Sequence, residues 1–480
     1  MEEKMKFLKN KSIQVKVSVF TVGIIFAVFL FTVAIRAVQI KKNNSFEPLS
    51  QNQAETLEAI KKSSYPEQYK TLKKLPYNTT DVKLNVKAES AILVNTNTGN
   101  IVYEKNADQV IPPASLTKIA VMFVVGKEIE SGKVSLDDIV PLSESSWACN
   151  MMPHSSLMFL GKNQIVTLRE LLTGLSVCSG NDASYAIAEY ISGGMEEFLD
   201  RMNFEVKNLG LEKTHFVEAS GYSEENTTTA REMAVLCTEY ILRFPHFIKE
   251  FHSVLDFSYP KEHNLAPEDK NKARSQDFSN GIPQNITMQI TQKNTNPLLL
   301  ELEGCDGLKT GFIEESGYNL ALTVIRNGMR FLSVTLKGPG KNLIEGQEGR
   351  KADGKEIMEW AFKTFVEYKN PYILRDYSIP LVKAKRTRSI LTPAYKPKAL
   401  LVPFYMIKES PDPLSEIKTD VEFPKYISGK VEAGTEFGKI IYSVNGIILE
   451  EIPLIADRTI EKSNFFISIA DSLAQFSLLF

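Results

Sequence analysis

Pro112-Pro113-Ala114-Ser115-Leu116-Thr117-Lys118-Ile119-Ala120-Val121-Met122-Phe123-Val124-Val125-Gly126-Lys127-Glu128-Ile129-Glu130 is the stretch whose reading decides the fold. From Ser115 to Glu130 the pattern is helical, with two prolines before its start and Gly132 after its end. Its residues are apolar on most sides. A helix apolar nearly all round must be buried, so other elements have to surround it.

Those elements can be read outward in both directions. Upstream, Ser90-Ala91-Ile92-Leu93-Val94 and Ile101-Val102-Tyr103 flank the turn-like Asn95-Thr96-Asn97-Thr98-Gly99-Asn100, which predicts two paired strands. Downstream, residues 168–175, 182–191, 195–209 and 229–244 carry helical periods. Strands return at 320–325 and 329–336, joined by Asn327-Gly328, the dipeptide that best tolerates the positive φ values of a type I′ turn. An amphipathic helix at 357–366, with Trp360 and Phe362, closes the region. The order strand, helices, strands, helix predicts an α/β domain of the α+β kind, its last helix packed on a sheet.

Beyond residue 372 the helical periods give way to short alternating runs, among them 399–404 and a hairpin at 439–452 around Asn445-Gly446. A small all-β domain is expected there. With 480 residues, the chain has room for two cores. Residues 259–285 are charged and broken by prolines, and read as an insertion loop.

The amino terminus is distinctive. Lys4, Lys6, Lys9, Lys11 and Lys16 precede residues 17–35, which are almost continuously apolar, with no charge before Arg36. About 18 such residues suffice to cross a bilayer, and the lysines place the amino terminus in the cytoplasm. An uncleaved anchor is favoured over an export signal, because the small residues Thr32-Val33-Ala34 sit inside the apolar run rather than after it. Residues 41–82 are polar without an apolar period and read as a spacer.

At the other end, Phe465, Phe466, Ile469, Leu473, Phe476 and Phe480 fall within one arc of about 100° on a helical wheel, opposite Ser468, Asp471 and Gln475. That suits a helix lying in a membrane surface; the alternative is a terminal helix docked on its own protein. The expected organisation is therefore an anchor or signal at 1–40, a spacer at 41–82, a catalytic domain at 83–371, an all-β domain at 372–458 and a membrane-associating helix at 459–480.

Composition excludes several classes. The net charge of −2 offers no basic field for nucleic acid. Cys149, Cys178, Cys237 and Cys305 form no C-x-x-C pair, and His154, His215, His246, His252 and His263 show no paired ligand spacing. Neither a metal nor another cofactor is called for.

Chemistry is concentrated in three short motifs, Ser115-Leu116-Thr117-Lys118, Ser179-Gly180-Asn181 and Lys309-Thr310-Gly311. Ser115 and Lys118 lie three apart on the predicted helix, hence on one face. A serine is a weak nucleophile, and a lysine can take its proton only when burial or a second cation keeps the amine neutral. The helix start also aims backbone N–H groups at developing negative charge. Ser179 and Asn181 sit between two predicted helices, where one can relay a proton and the other hold Lys118 or a substrate amide. Lys309 and Thr310 can bind a carboxylate from an edge strand, and Gly311 lets substrate backbone approach.

Each motif alone is noise. S-x-x-K recurs from Ser258 to Lys261 and from Ser415 to Lys418, and S-x-N from Ser50 to Asn52 and from Ser443 to Asn445, so a surface serine or a solvated lysine is the plainer account of any single one. Pro260 spoils the first decoy as a helix face, the second lies in the β region, and K-T-G occurs once. Only one set has the right order and context.

That set resembles the one shared by β-lactamases and penicillin-binding proteins. The wider likeness, from Lys83 to the carboxyl terminus, is to the D-alanyl-D-alanine carboxypeptidase branch. It is carried by Pro113 to Lys118, Ser179-Gly180-Asn181-Asp182-Ala183, Thr214-His215-Phe216, Thr229-Ala230-Arg231 and Asp306 to Phe312. The resemblance implies a helical subdomain against an antiparallel-sheet subdomain with the active site between them, followed by a β-rich domain and a membrane-binding tail. It implies Ser115 as nucleophile, Lys118 as base, Ser179 and Asn181 as the second element, and Lys309 and Thr310, with Gly311, as the carboxylate site. The N–H groups of Ser115 and Phe312 would form the oxyanion hole.

The implied activity is removal of the terminal D-alanine from peptidoglycan pentapeptide stems, in cell-wall synthesis and cell shape. The partners would be stem peptide, β-lactam antibiotics and membrane lipid, on the outer side of the cell membrane. The departures from the family pattern are the anchor, the 259–285 insertion and Trp147-Ala148-Cys149-Asn150-Met151-Met152-Pro153-His154, a stretch placed to reshape the cleft. Cys178, beside Ser179, suggests sensitivity to thiol reagents. A D,D-endopeptidase, a β-lactamase or an inactive wall-binding scaffold are the alternatives.

Overall fold

The computed structural model describes residues 2–41, 47–79, 82–266, 270, 289–368, 374–397, 399–407 and 416–475. The chain divides into two compact units. One comprises Thr71–Tyr368 with Leu401–Tyr405, and the other Met1–Lys70, Lys369–Leu400 and Met406–Phe480.

In the first unit a sheet runs in the order Lys73–Lys74, Asn100–Lys105, Ser90–Asn95, Met329–Gly338, Gly317–Arg326, Cys305–Ile313. All neighbours are antiparallel except the two-residue Lys73–Lys74. Asn327 and Gly328 have φ of 51° and 76°, so the Asn-Gly turn adopts the conformation expected of it. Successive side chains of a strand face opposite ways, and the burial follows that period: Ile92 and Val94 join the core of the helical layer, whereas Ala91 and Leu93 join the core on the other face.

Thr117–Glu130 is the central helix, preceded by a 3₁₀ turn over Ala114–Leu116. Residues 117–126 are all buried, as an all-apolar surface requires. Truncating Ile119 or Phe123 to alanine would cost about 2–5 kcal/mol through the cavity left behind. Around it pack Leu168–Val177, Asn181–Ser192, Met195–Asn208 and Ala230–Arg243.

The opposite face of the sheet is covered by Leu343–Thr364, a helix that begins well before the expected residue 357. Its first half escapes a reading by apolar period because glycines replace the apolar residues that would mark a packed face. A Cβ at Gly346 would overlap the Tyr318 ring, and one at Gly354 would come within 2.9 Å of Leu298 and Leu322.

Of the expected insertion, residues 267–269 and 271–285 lie outside the described ones. Its flanks pair as Asp256–Tyr259 against Ile290–Lys293.

The second unit holds a sheet ordered Lys418–Glu422, Glu436–Val444, Ile447–Ala456, Arg388–Pro393, Tyr377–Val382, Ile427–Ser428. Asn445 and Gly446, with φ of 49° and 79°, make its hairpin turn.

The segment read as a spacer contains a helix, Gln51–Ser64, with a Ser50/Gln53 capping box. Leu57 is buried in a cluster with Ala394 and Ile455, and Tyr65 lies 6.2 Å from the Tyr395 ring. One buried leucine is too little for a period, and the contact that orders this helix comes from residues far along the chain.

Glu2–Lys41 is one long helix, and Lys16–Gln39 within it is long and apolar enough to cross a membrane. The tail helix, Phe465–Gln475, lies against it through its polar side. Asp471 is fully buried and accepts both Nε and Nη2 of Arg36 at 2.7 Å, while Phe465, Phe466 and Leu473 are exposed. Docking and an outward apolar face thus coexist. Phe476 and Phe480 lie outside the described residues.

Candidate active site

The three motifs converge although 63 positions separate the first from the second. Lys118 Nζ donates to Asn181 Oδ1 at 2.8 Å, lies 3.0 Å from Ser115 Oγ, and also donates to the Ser220 carbonyl. Lys118 is buried, and burial pulls its pKa from 10.5 down to about 7, against the opposing charges of Glu218 and Asp182. Its amine is therefore substantially neutral at physiological pH, the state in which it can accept a serine proton.

Ser115 sits in the 3₁₀ turn, after Ala114 at a left-handed φ of 49°. The edge strand Cys305–Ile313 passes close behind. A Cβ on Gly311 would stand 2.9 Å from the Pro113 oxygen and 3.1 Å from the Ser115 nitrogen, so only glycine allows this approach. Phe312, next on the strand, is half-exposed on the cleft wall and stacks on Tyr318 with centroids 4.4 Å apart. Lys309 is buried, and burial, reinforced by Lys118 and Arg350, holds its pKa well below the ordinary lysine value. With Arg350 nearby, a charged Lys309 favours an anion. Thr310 Oγ1 donates to Thr295 Oγ1 at 2.8 Å.

Ser179, with φ of 58°, lies in the loop between Leu168–Val177 and Asn181–Ser192, where the sequence places it. The loop is fixed by Asp182, whose buried carboxylate accepts the amides of Met158, Phe159 and Leu160 at 2.8, 2.8 and 3.0 Å. Asn181 N–H donates to the Ser156 carbonyl at 2.8 Å. The neighbouring cleft, about 810 Å³, is lined by Ser115 and Asn181 together with His154, Tyr222, Phe312 and Glu314. His154, from the distinctive 147–154 stretch, is thus part of its wall.

Two supports were not singled out in the sequence. Glu218 accepts the Ser220 amide and hydroxyl at 2.7 and 2.6 Å, the Gly221 amide at 2.6 Å and Asn226 Nδ2 at 3.0 Å. It thereby presents the Ser220 carbonyl to Lys118. The run Glu218-Ala219-Ser220-Gly221 is the local trace of this.

His252 is the second support. Its Nδ1 is 3.0 Å from the Leu308 carbonyl, which can only accept, so Nδ1 carries the proton and Nε2 accepts from Tyr240 Oη at 2.8 Å. Burial pushes this imidazole down to about 4, which keeps it neutral, a strut for the Lys309 strand.

The expected thiol sensitivity of Cys178 is corrected by its surroundings. The side chain is 4% exposed, and burial pushes its thiol up to about 12, so reactive thiolate is scarce. Among the described residues no cluster of His, Cys, Asp and Glu could hold a metal.

Comparison with known proteins agrees with this arrangement. The family model described as D-alanyl-D-alanine carboxypeptidase matches residues 77–340. The D-alanyl-D-alanine carboxypeptidase DacA of Haemophilus influenzae is 31% identical over 75% of this chain and 82% of its own. DacF of Bacillus subtilis, which carries the same enzyme name, is 27% identical over 79% of this chain and 87% of its own. The crystal structure of penicillin binding protein 5 from Haemophilus influenzae superposes with a TM-score of 0.63 at 28% identity, covering 80% of this chain and all of that one. With more than half its length matched and the serine and asparagine of the motifs both bonded to the lysine, the chain belongs to the D-alanyl-D-alanine carboxypeptidase family.

Proposed function

We propose that the protein is a serine D,D-carboxypeptidase that removes the terminal D-alanine from peptidoglycan pentapeptide stems. The observation that carries this is the contact of a buried lysine, its pKa lowered to about 7, with Ser115 Oγ and Asn181 beside an open cleft.

In acylation, Ser115 Oγ attacks the carbonyl of the penultimate D-alanine and its proton passes to Lys118. The N–H groups of Ser115 and Phe312 stabilise the oxyanion, and Lys309 and Thr310 hold the substrate's terminal carboxylate. As the peptide bond breaks, Ser179 delivers its proton to the departing amine of D-alanine and takes the proton held by Lys118, which is neutral again. Water then gives a proton to Lys118 as it attacks the ester, and that proton returns to Ser115 Oγ as the acid leaves. A β-lactam would enter the same route and be held as an acyl-enzyme; its likeness to a penicillin binding protein supports this.

The helix across Lys16–Gln39 supports attachment to the cell membrane with the catalytic unit on the extracytoplasmic side, and the outward phenylalanines of the tail support contact with lipid.

The test is D-alanine release from diacyl-Lys-D-Ala-D-Ala by the full chain and by Ser115→Ala, with mass analysis after benzylpenicillin. Release and a penicilloyl adduct on the parent alone are expected. A folded parent that releases no D-alanine but cuts cross-linked dimers would be an endopeptidase, and one that sheds penicillin rapidly a β-lactamase.

A further inference from the structure

A row of buried polar side chains outside the three motifs joins the elements that carry them. Tyr240, on the helix Ala230–Arg243, and His252, at the end of the turn Ile248–His252, meet edge to face with ring centroids 5.4 Å apart. Tyr240 Oη gives its one proton to His252 Nε2 at 2.8 Å, and the same oxygen lies 3.7 Å from Met122 Sδ, a soft and polarizable neighbour. Met122 stands one turn beyond Lys118 on the central helix. Its sulfur also accepts from Ser176 Oγ at 3.3 Å, and Ser176 lies in the last turn of the helix that leads into Ser179. None of these four side chains is more than 1% exposed.

At its other end the row reaches Lys309. Cys305–Ile313 is an edge strand, which leaves carbonyls without a strand partner, and His252 Nδ1 donates to that of Leu308 at 3.0 Å. A Cβ on Gly307 would stand 3.0 Å from His252 Cβ, so the strand lies directly against the histidine. Thr295 makes a second tie between the same elements: its N–H donates to the Val177 carbonyl at 3.2 Å, and its hydroxyl accepts from Thr310 Oγ1. Apolar packing alone would not call for the Tyr240 hydroxyl, because a phenylalanine fills the same volume. The hydroxyl matters because the buried imidazole donates through one nitrogen and must accept through the other.

We infer that Tyr240 and His252 are positioning residues of the active site, which set the distance from Ser115 and Lys118 to Lys309 and so the fit of the substrate's terminal carboxylate while Ser115 attacks. This rests on the D,D-carboxypeptidase reading of the site. That carboxylate departs with D-alanine, so the remaining acyl-enzyme no longer uses Lys309. A misplaced Lys309 therefore slows acylation and spares deacylation, whereas a loosened core slows both.

The full chain, Tyr240→Phe, His252→Ala and His252→Asn are compared on diacyl-Lys-D-Ala-D-Ala. Rapid quench with mass analysis follows formation and decay of the acyl-enzyme on Ser115, and thermal transitions follow the fold. Tyr240→Phe and His252→Ala are expected to lower the second-order acylation constant about tenfold, since misplacement by about 1 Å can cost up to ~10²-fold. Deacylation should stay within about twofold of the parent. His252→Asn, whose amide nitrogen can stand where Nδ1 does, should recover most of the loss. Acylation unchanged in Tyr240→Phe and His252→Ala, or acylation and deacylation falling together, overturns the proposal and leaves both residues as core packing. If His252→Ala does not fold, Tyr240→Phe decides, because it removes one oxygen and keeps the ring. A parent that released no D-alanine would refute the carboxypeptidase reading, and acylation by benzylpenicillin, which also carries a carboxylate, would then decide the positioning role separately.

Discussion

Glu218 governs Lys118 through a single backbone carbonyl. Its carboxylate holds the amide and hydroxyl of Ser220, and the Ser220 carbonyl accepts Lys118 Nζ. It also opposes, through its charge, the fall in the lysine's pKa. Glu218 thus bears on both the position of Lys118 and, against the larger effect of burial, its protonation, without bonding to it. In Glu218→Gln the negative charge is gone, so the acid limb of the acylation profile should move below about 7. Acylation at neutral pH should also drop, by about tenfold, as the loop loosens. A limb that stays in place in Glu218→Gln would deny Glu218 its electrostatic role.

The parent enzyme has a sign that can be worked out. Lys118 must be neutral to accept the serine proton, so acylation should rise by about tenfold per pH unit below the lysine pKa and level off above it. With burial placing that pKa at about 7, the rise should be complete near pH 8. Lys309 must be charged to hold a carboxylate, and its lowered pKa predicts an alkaline decline that begins before the ordinary lysine range. Stopped-flow acylation by a chromogenic cephalosporin across pH 5 to 10 measures both limbs.

Gly311→Ala should cost catalysis rather than folding. The added methyl would press on the Pro113 oxygen and the Ser115 nitrogen, displacing one donor of the proposed oxyanion hole. Loss of such a donor costs about 10²–10³ in rate. An acylation rate within twofold of the parent would mean that the strand moves aside freely.

Thiol reagents should spare activity. Cys149 is exposed, whereas Cys178 and Cys237 are buried with pKa values above the ordinary thiol range. Iodoacetamide should modify Cys149 first, seen by peptide mapping, with D-alanine release unchanged. Early labelling of Cys178 would show that its cover opens readily.

Asp471→Ala should destabilise the second unit by about 3 kcal/mol or more, because it leaves Arg36 buried without its partner. The double change of Arg36→Met with Asp471→Leu should recover most of the loss. Thermal melts in detergent, followed beside D-alanine release from soluble peptide, separate this effect from catalysis. Deleting residues 462–480 should likewise leave that release intact, and a large loss would assign the tail to support of the catalytic fold.

What could be read in the sequence was what local chemistry determines. Asn327-Gly328 and Asn445-Gly446 announce their turns because so few dipeptides accept two positive φ values. The central helix announces its burial through Ile119 to Val125, and Ser115 and Lys118 their contact through helical spacing. What escaped depends on distant partners. The Gln51–Ser64 helix is ordered by Ala394 and Ile455, the glycines of Leu343–Thr364 by Tyr318 and Leu298, and the Ser220 carbonyl meets Lys118 from 102 positions away. The tail helix shows the point most sharply. Its amphipathic wheel was legible, but the polar face turns inward because Arg36, far away in sequence, needs a carboxylate.

That ion pair joins positions 435 residues apart, and between them lies the whole stretch Thr71–Tyr368 that carries Ser115, Lys118 and Asn181. Synthesis proceeds from the amino terminus at about 5–20 residues per second, so the catalytic unit is almost entirely translated before Asp471 exists. Arg36 is therefore made 435 residues ahead of the carboxylate that neutralises it. Closure of the second unit around that arginine is timed by the synthesis of Asp471, not by the folding of Thr71–Tyr368.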